Sequence, residues 1–249
     1  MSKISEIIEN KKHYDGITLV ERMKECHTSA VSIAIIENFE ICEAYAYGVK
    51  RRTTKEKVTS DTLFQAGSIS KPVFAVAIMR LVERGTLDID KDISEYLAGY
   101  DVPTYDNQKH KITLRQILSH HAGLNLHGFA GYQQGQKIPT VEQILTGVFP
   151  SNHLKLKLIK DPETGFQYSG GGYVLAQKII TDVCKLNFCD LMNDLVFSPL
   201  FMTTPSDLVR FGIEIMKALK SESTFLEKKT AELMTTKAYE NSPYGVVLP

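Results

Sequence analysis

The chain has 249 residues, 43% of them hydrophobic, which suffices for one large globular domain or two small ones and excludes a disordered polymer. Its 29 basic residues balance 29 acidic ones, so no whole-molecule field favours nucleic acid or an anionic membrane, and neither is expected as a partner. Function must be sought in a local site.

The opening stretch, "MSKISEIIENKKHYDG", is polar and charged, with no apolar core of a signal peptide, and no later apolar run approaches membrane-spanning length. With Met1 as the native start, the expectation is a cytoplasmic protein; with a different start, an extracytoplasmic place stays open. Cys26, Cys42, Cys184 and Cys189 lack C-x-x-C spacing and sit in apolar or amphipathic segments. Buried free thiols are expected, not disulfides or a metal site.

Leu19 to Cys26 reads as the end of an amphipathic helix. "AVSIAIIENFEICEAYAYGVK" follows, two β-rich runs that turn at Asn38 and Phe39, which predicts a hairpin over residues 31–49. The first run is nearly continuous apolar sequence, as for a central strand, and the second alternates. A lone two-stranded hairpin is marginal in water, so helices are expected to cover it.

From Ser68 the pattern turns helical. Val73, Phe74, Ala77, Ile78, Leu81 and Val82 recur at three- and four-residue spacing, Pro72 falls in the first turn, and Gly85 closes the segment. Thr113 and Thr140 read as N-caps, the second with Gln143 completing a capping box. Helices over 172–185 and 188–197 follow, then one over 207–220 capped by Ser206, and a short one over 228–237. The tail "SPYGVVLP" reads as the start of a strand. With no repeat or linker in view, residues 1–249 are read as a single domain whose helical region, about 68–237, is inserted after the hairpin.

Ser68 and Lys71 stand three residues apart where a helix begins, so they share a face and hydroxyl and amine fall within hydrogen-bonding reach. A cation there opposes the positive end of the macrodipole, a placement that makes sense if the lysine serves as a general base. The N–H groups at such a helix start also point outward, where they can hold an oxyanion. A serine followed at the third position by lysine is expected about once by chance in a chain of this composition, and Ser68 is its one occurrence here. A solvated surface pair is therefore the plain alternative. Further on, Tyr168 and Ser169 precede three glycines at another helix start, a run that permits close backbone approach or simply makes a flexible loop. His120, His121 and His127 cluster without an acidic partner or H-E-x-x-H spacing, which argues for a turn and against a metal site.

Five ordered segments, "VSIAII" with "YAYGVK", "DTLFQAGSISKPVFAVAIMRLVERGTLDIDKDISEYL", "ITLRQILSHHAGL", "GFQYSGGGYVLAQ" and "TPSDLVRF", together resemble the serine beta-lactamase and penicillin-binding-protein superfamily. The likeness is to its class C beta-lactamase, D-alanyl-D-alanine peptidase and esterase-like branch. It implies an α+β fold, a helix-rich region packed on an antiparallel sheet begun by the N-terminal hairpin. It also implies a serine hydrolase that forms an acyl-enzyme on Ser68, with Lys71 and Tyr168 as the acid/base pair and Ser169 and Gly170 at the substrate. No metal or organic cofactor is implied, and the substrate would be a small ester, a beta-lactam or a D-amino-acid peptide.

Two departures shape the expectation. Where many members carry Y-x-N, this chain has Tyr168, Ser169 and Gly170, so the amide that anchors a substrate amide is missing and esters gain over peptides. Members also carry a K-T-G or H-x-G strand after a "YG" segment, whereas here Tyr244 and Gly245 come just before Pro249, and "SPLFM" runs straight into "TTPSDLVRF". The sheet is thus expected to be incomplete, with its C-terminal strands missing and an exposed edge that pairs with a partner chain or a second copy. A non-catalytic remnant or binding protein of the same family is the alternative function.

Overall fold

The computed structural model describes residues 16–200 and 205–239. The polar N-terminal stretch, the 201–204 junction and the tail with Tyr244 and Gly245 lie outside the described residues. The chain divides into two compact units, residues 16–65 with 205–213, and residues 66–200 with 214–239.

In the first unit, helix α1 (Leu19–Glu25) starts at Thr18, whose hydroxyl accepts from Glu21 N–H while the Glu21 carboxylate accepts from Thr18 N–H. This capping box makes Leu19 a helix start, where the end of a helix was expected. Strands β1 (Ala30–Glu37) and β2 (Glu40–Gly48) pair antiparallel from Ala30 opposite Gly48 to Glu37 opposite Glu40. Asn38 and Phe39 both take left-handed torsions, φ 52 and 63, as a two-residue turn that matches the strand twist requires. Between Ile35 and Ile36 the register shifts, leaving Cys42 as the extra residue of a bulge. β2 alternates as expected. β1, expected to be central, is only half-buried over 30–35, in a sheet of two strands among the described residues.

The second unit is helical. The strongly apolar helix α2 (Ser70–Glu83) buries every residue from Pro72 to Met79, and Gly85 follows its cap with φ 69. Helices α3 (Leu114–Leu118) and α4 (Val141–Thr146) are each opened by a threonine–glutamine capping box, Thr113 with Gln116 and Thr140 with Gln143. Both pack on α5 (Gly170–Cys184). Leu175, Ala176, Ile179 and Ile180 of α5 are fully buried, each large aliphatic contributing about 1.5–3 kcal/mol. Lys178, on the same helix, is held between the carboxylates of Glu142 on α4, at 3.3 Å, and Asp182, at 3.1 Å. Helix α6 (Phe188–Met192) runs on through a π turn (Asn193–Phe197) into α7 (Ser198–Leu200), and α2 packs on both α6 and the π turn.

Helix α8 (Pro205–Leu219) begins one residue ahead of Ser206, whose side chain, expected to cap it, lies outside the described residues; proline at a helix start needs no N–H there. Helix α9 (Lys228–Thr235) closes the described chain. The cysteines are free but not buried: Cys26, Cys42 and Cys189 are exposed and Cys184 is half-buried. Cys26 caps a helix with no buried face and Cys42 sits on the bulge, so amphipathic context did not translate into burial.

Candidate active site

Ser68 sits in a single 310 turn (Gly67–Ile69) that runs into α2, and Lys71 is the second residue of α2 itself. Tight turn and helix together place the two side chains on one side: Lys71 Nζ donates to Ser68 Oγ at 2.9 Å. Tyr168, one hundred residues away, donates its phenol O–H to the same oxygen at 2.7 Å. Ser68 is exposed, while Lys71 and Tyr168 are half-buried. The first helical hydrogen bonds are donated by Ile69, to Ala66, and by Ser70, to Gly67, so the Ser68 N–H lies ahead of the helical ladder, among the N–H groups a helix start leaves free to hold an oxyanion.

Lys71 Nζ also lies over the rings of Tyr168, 4.8 Å from its centroid, and Tyr173, at 5.6 Å. Tyr173 donates its hydroxyl to the Leu118 carbonyl, and burial, then the neighbouring Tyr168, pushes its pKa up, so it stays a neutral wall of the site. The Tyr168 ring packs against two imidazoles, His120 at 4.2 Å and His127 at 4.7 Å between centroids. Burial, followed by the charge of Lys71, lowers the His120 pKa to about 4.

The three glycines after Ser169 do allow a close approach, and what approaches is the chain's own segment 124–129 together with the Leu156 side chain. A Cβ at Gly171 would stand 2.6 Å from Leu156 Cδ1 and 2.9 Å from Leu126 Cβ, and one at Gly170 would stand 3.1 Å from the His127 carbonyl oxygen. Gly170 and Gly171 donate their N–H groups to the His127 and Leu126 carbonyls, and Gly172 donates to Ser169 Oγ. The helix thus starts two residues earlier than expected, with Ser169 as its N-cap. Ser169, placed at the substrate by resemblance, is 3% exposed; its hydroxyl donates to the Asn125 carbonyl while capping α5. It does not line the site, whereas Gly170 does.

The cleft over Ser68 has a volume of about 560 Å³. Phe74 of α2, Tyr173, Val174 and Gln177 of α5, and Phe188 of α6 make one wall; His127 and Phe129 make another. Phe74 meets Phe188 edge-on at 5.5 Å and Tyr173 at 6.1 Å. Lys71 is its one lysine or arginine among the described residues. Periodicity places Phe74 on the core face and leaves Gln177 and Phe188 unmarked as site residues. Phe74 lies one turn beyond Lys71 on α2, a local signal; the other two are set by helix packing and leave none. Among the described residues, no three His, Cys, Asp or Glu side chains are grouped to hold a metal ion, and no helix is long and apolar enough to cross a membrane.

A model of the family described as Beta-lactamase matches residues 18–207. Penicillin-binding protein 4* of Bacillus subtilis (strain 168) is 27% identical over 191 residues, which cover 76% of this chain and 40% of that protein. Penicillin-binding protein 4 of Amycolatopsis lactamdurans is 26% identical over 228 residues, 90% of this chain and 57% of that one. This chain thus spans about half the length of these two relatives. Among solved structures, the octameric penicillin-binding protein homologue from Pyrococcus abyssi superposes with a TM-score of 0.74 at 20% identity, covering 92% of this chain and 62% of that one. The α+β arrangement of a helix-rich region with an antiparallel hairpin is the fold of that group, and since the family model spans most of the chain, the protein belongs to the beta-lactamase family.

Proposed function

We propose that this chain is a serine hydrolase that forms an acyl-enzyme on Ser68 and acts on small, uncharged esters with an apolar acyl group. The observation that carries the reading is the convergence of Lys71 Nζ and Tyr168 Oη on one serine oxygen, at 2.9 and 2.7 Å. Two proton-handling groups on a nucleophile are what acyl transfer needs, one to take the serine proton and one to deliver it to the leaving alcohol. Ser68 Oγ attacks the ester carbon as its proton passes to Lys71 or Tyr168 in its deprotonated form. The tetrahedral oxyanion faces the Ser68 N–H, the ester C–O bond breaks, and the proton goes to the departing alkoxide. Water then hydrolyses the acyl-serine by the reverse proton route.

The substrate class follows from the walls. Phe74, Tyr173, Val174 and Phe188 offer apolar surface, and the described lining supplies no arginine and no lysine besides Lys71 to pair with a substrate carboxylate. Gly170 brings no side-chain amide to the site, which lowers selectivity for amides. Neutral esters therefore fit better than penicillins or peptides, both of which carry a carboxylate. Every group the proposal uses lies in the second unit.

The test is intact-protein mass spectrometry after exposure to a fluorophosphonate and, separately, to a penicillin, with Ser68→Ala alongside. The expected result is a fluorophosphonate adduct on the wild type and none on Ser68→Ala, with turnover of neutral nitrophenyl esters exceeding that of penicillin. No adduct on a folded, monodisperse wild type would refute the hydrolase reading and support a non-catalytic binding role.

A further inference from the structure

We propose that His120 is a positioning residue that clamps Tyr168 in line with Ser68; the proposal rests on the reading of Tyr168 as an acid/base group. Three contacts, all to the tripeptide centred on Tyr168, carry it. The Gln167 N–H donates to the His120 carbonyl at 2.7 Å, the Ser169 N–H donates to His120 Nδ1 at 3.1 Å, and the Tyr168 ring packs on the imidazole at 4.2 Å. One residue therefore holds both peptide flanks and the ring face, and the phenol O–H that reaches Ser68 Oγ is what this arrangement aims.

The tautomer follows from the donor. A backbone N–H can only donate, so Nδ1 must be the bare nitrogen and the proton sits on Nε2. Nε2 is buried and has no hydrogen-bond partner among the described residues. His120 also adopts a left-handed backbone, φ 61, which a non-glycine residue seldom takes. Both features are unfavourable, and both persist at a residue fixed against the site. His121 has an unpartnered Nε2 as well, but its ring stacks on Tyr239 at 4.4 Å and its Nδ1 pairs with the Ser119 carbonyl at 2.7 Å.

Histidine answers both demands of the position. A hydrocarbon ring would stack on Tyr168 but leave the Ser169 N–H unpaired, and a small amide would accept that N–H but not stack. The clamp needs the neutral imidazole, because a protonated Nδ1 would confront the Ser169 N–H. The titratable groups facing the ring are Lys71, His121, His127 and the phenols of Tyr168 and Tyr173; burial and the three cationic or potentially cationic groups act together to keep it neutral.

The experiment measures the second-order rate of Ser68 labelling by a fluorophosphonate in His120→Asn, His120→Phe, Tyr168→Phe and the two double variants. Asn keeps an acceptor near the Nδ1 position and tolerates the left-handed backbone; Phe keeps the ring and removes the acceptor. Each single His120 variant is expected to label on the order of tenfold to a hundredfold more slowly, the scale of misplacing a reacting group. In the Tyr168→Phe background the same substitutions should change the rate by less than about twofold, because their effect runs through the phenol. Equal losses in both backgrounds would overturn the proposal and mark His120 as a merely structural residue.

A second readout keeps the clamp separable from the activity. Exchange of the Ser169 amide proton, followed by NMR, should be slow in wild type and His120→Asn and fast in His120→Phe. If that pattern holds but Tyr168→Phe labels at the wild-type rate, the acid/base assignment of Tyr168 fails and the clamp stands as geometry alone. If Ser169 exchanges equally fast in all three, the clamp itself is refuted.

Discussion

Acid should weaken this fold through His120 well before its carboxylates are neutralised. The residue is 3% exposed, and burial, with the charge of Lys71, moves its midpoint from 6.5 to about 4 in the folded state. The sign follows from proton uptake: an unfolded chain binds a proton at this residue once pH drops below 6.5, whereas the folded chain does so only near 4. The stabilisation is complete above pH 6.5 and is lost as pH falls from there towards 4. At about 1.4 kcal/mol per pH unit the loss reaches about 2 kcal/mol by pH 5 and about 3 kcal/mol near pH 4. Urea denaturation of wild type and His120→Asn between pH 7.5 and 4.5 isolates this contribution. The carboxylates held low by partners, Glu56 by Lys50, Asp90 by Arg115 and Glu142 by its own backbone N–H and Lys178, are present in both proteins and cancel. The variant should be the less stable protein at pH 7.5, since it gives up the imidazole packing, and the gap should close by about 2 kcal/mol on reaching pH 5. A gap that stays constant across that range would refute the buried neutral state of His120.

Two further substitutions test the packing around the site. Gly123→Ala places a Cβ 2.3 Å from the Lys160 carbonyl oxygen at φ 69, whereas Gly85→Ala meets open space at the same φ. The first should cost about 3 kcal/mol and the second about 1 kcal/mol in urea denaturation, and equal costs would mean that the approach of residue 160 is not as close as described. Ser169→Ala should lower stability by about 1 kcal/mol through loss of the α5 cap, with the KM for a neutral ester unchanged; a raised KM at unchanged stability would instead put the hydroxyl at the substrate.

How much of this was legible before the fold was known depended on the distance over which each feature is set. Local features read well. The hairpin turned at Asn38 and Phe39, Thr140 and Gln143 formed their box, and Gly85 followed the end of α2. The Ser68–Lys71 contact belongs to the same class, since a three-residue spacing on a helical turn brings the two groups together whatever the rest of the chain does. The start of α5 was misplaced because three glycines read as a loop on propensity. Their packing against Leu126, Leu156 and the His127 carbonyl outweighs that propensity and draws the helix back to Gly170.

Tyr168 marks the boundary of what local reading can reach. Its place beside Ser68 came from resemblance, because no periodicity relates residues one hundred positions apart. The groups that hold it there are more distant still from any sequence signal. "SHHAGL" was read as a turn, and a turn it is, but nothing in six letters distinguishes the histidine facing the tyrosine from its neighbour facing Tyr239. His120 takes a left-handed torsion and accepts from the N–H groups of Gln167 and Ser169, some fifty residues downstream, contacts that no local pattern encodes. The nucleophile and its lysine are thus properties of one helical turn, while the tyrosine is a property of the whole second unit. Damage to that unit's packing should therefore reach the chemistry through Tyr168 first and leave the Ser68–Lys71 contact in place.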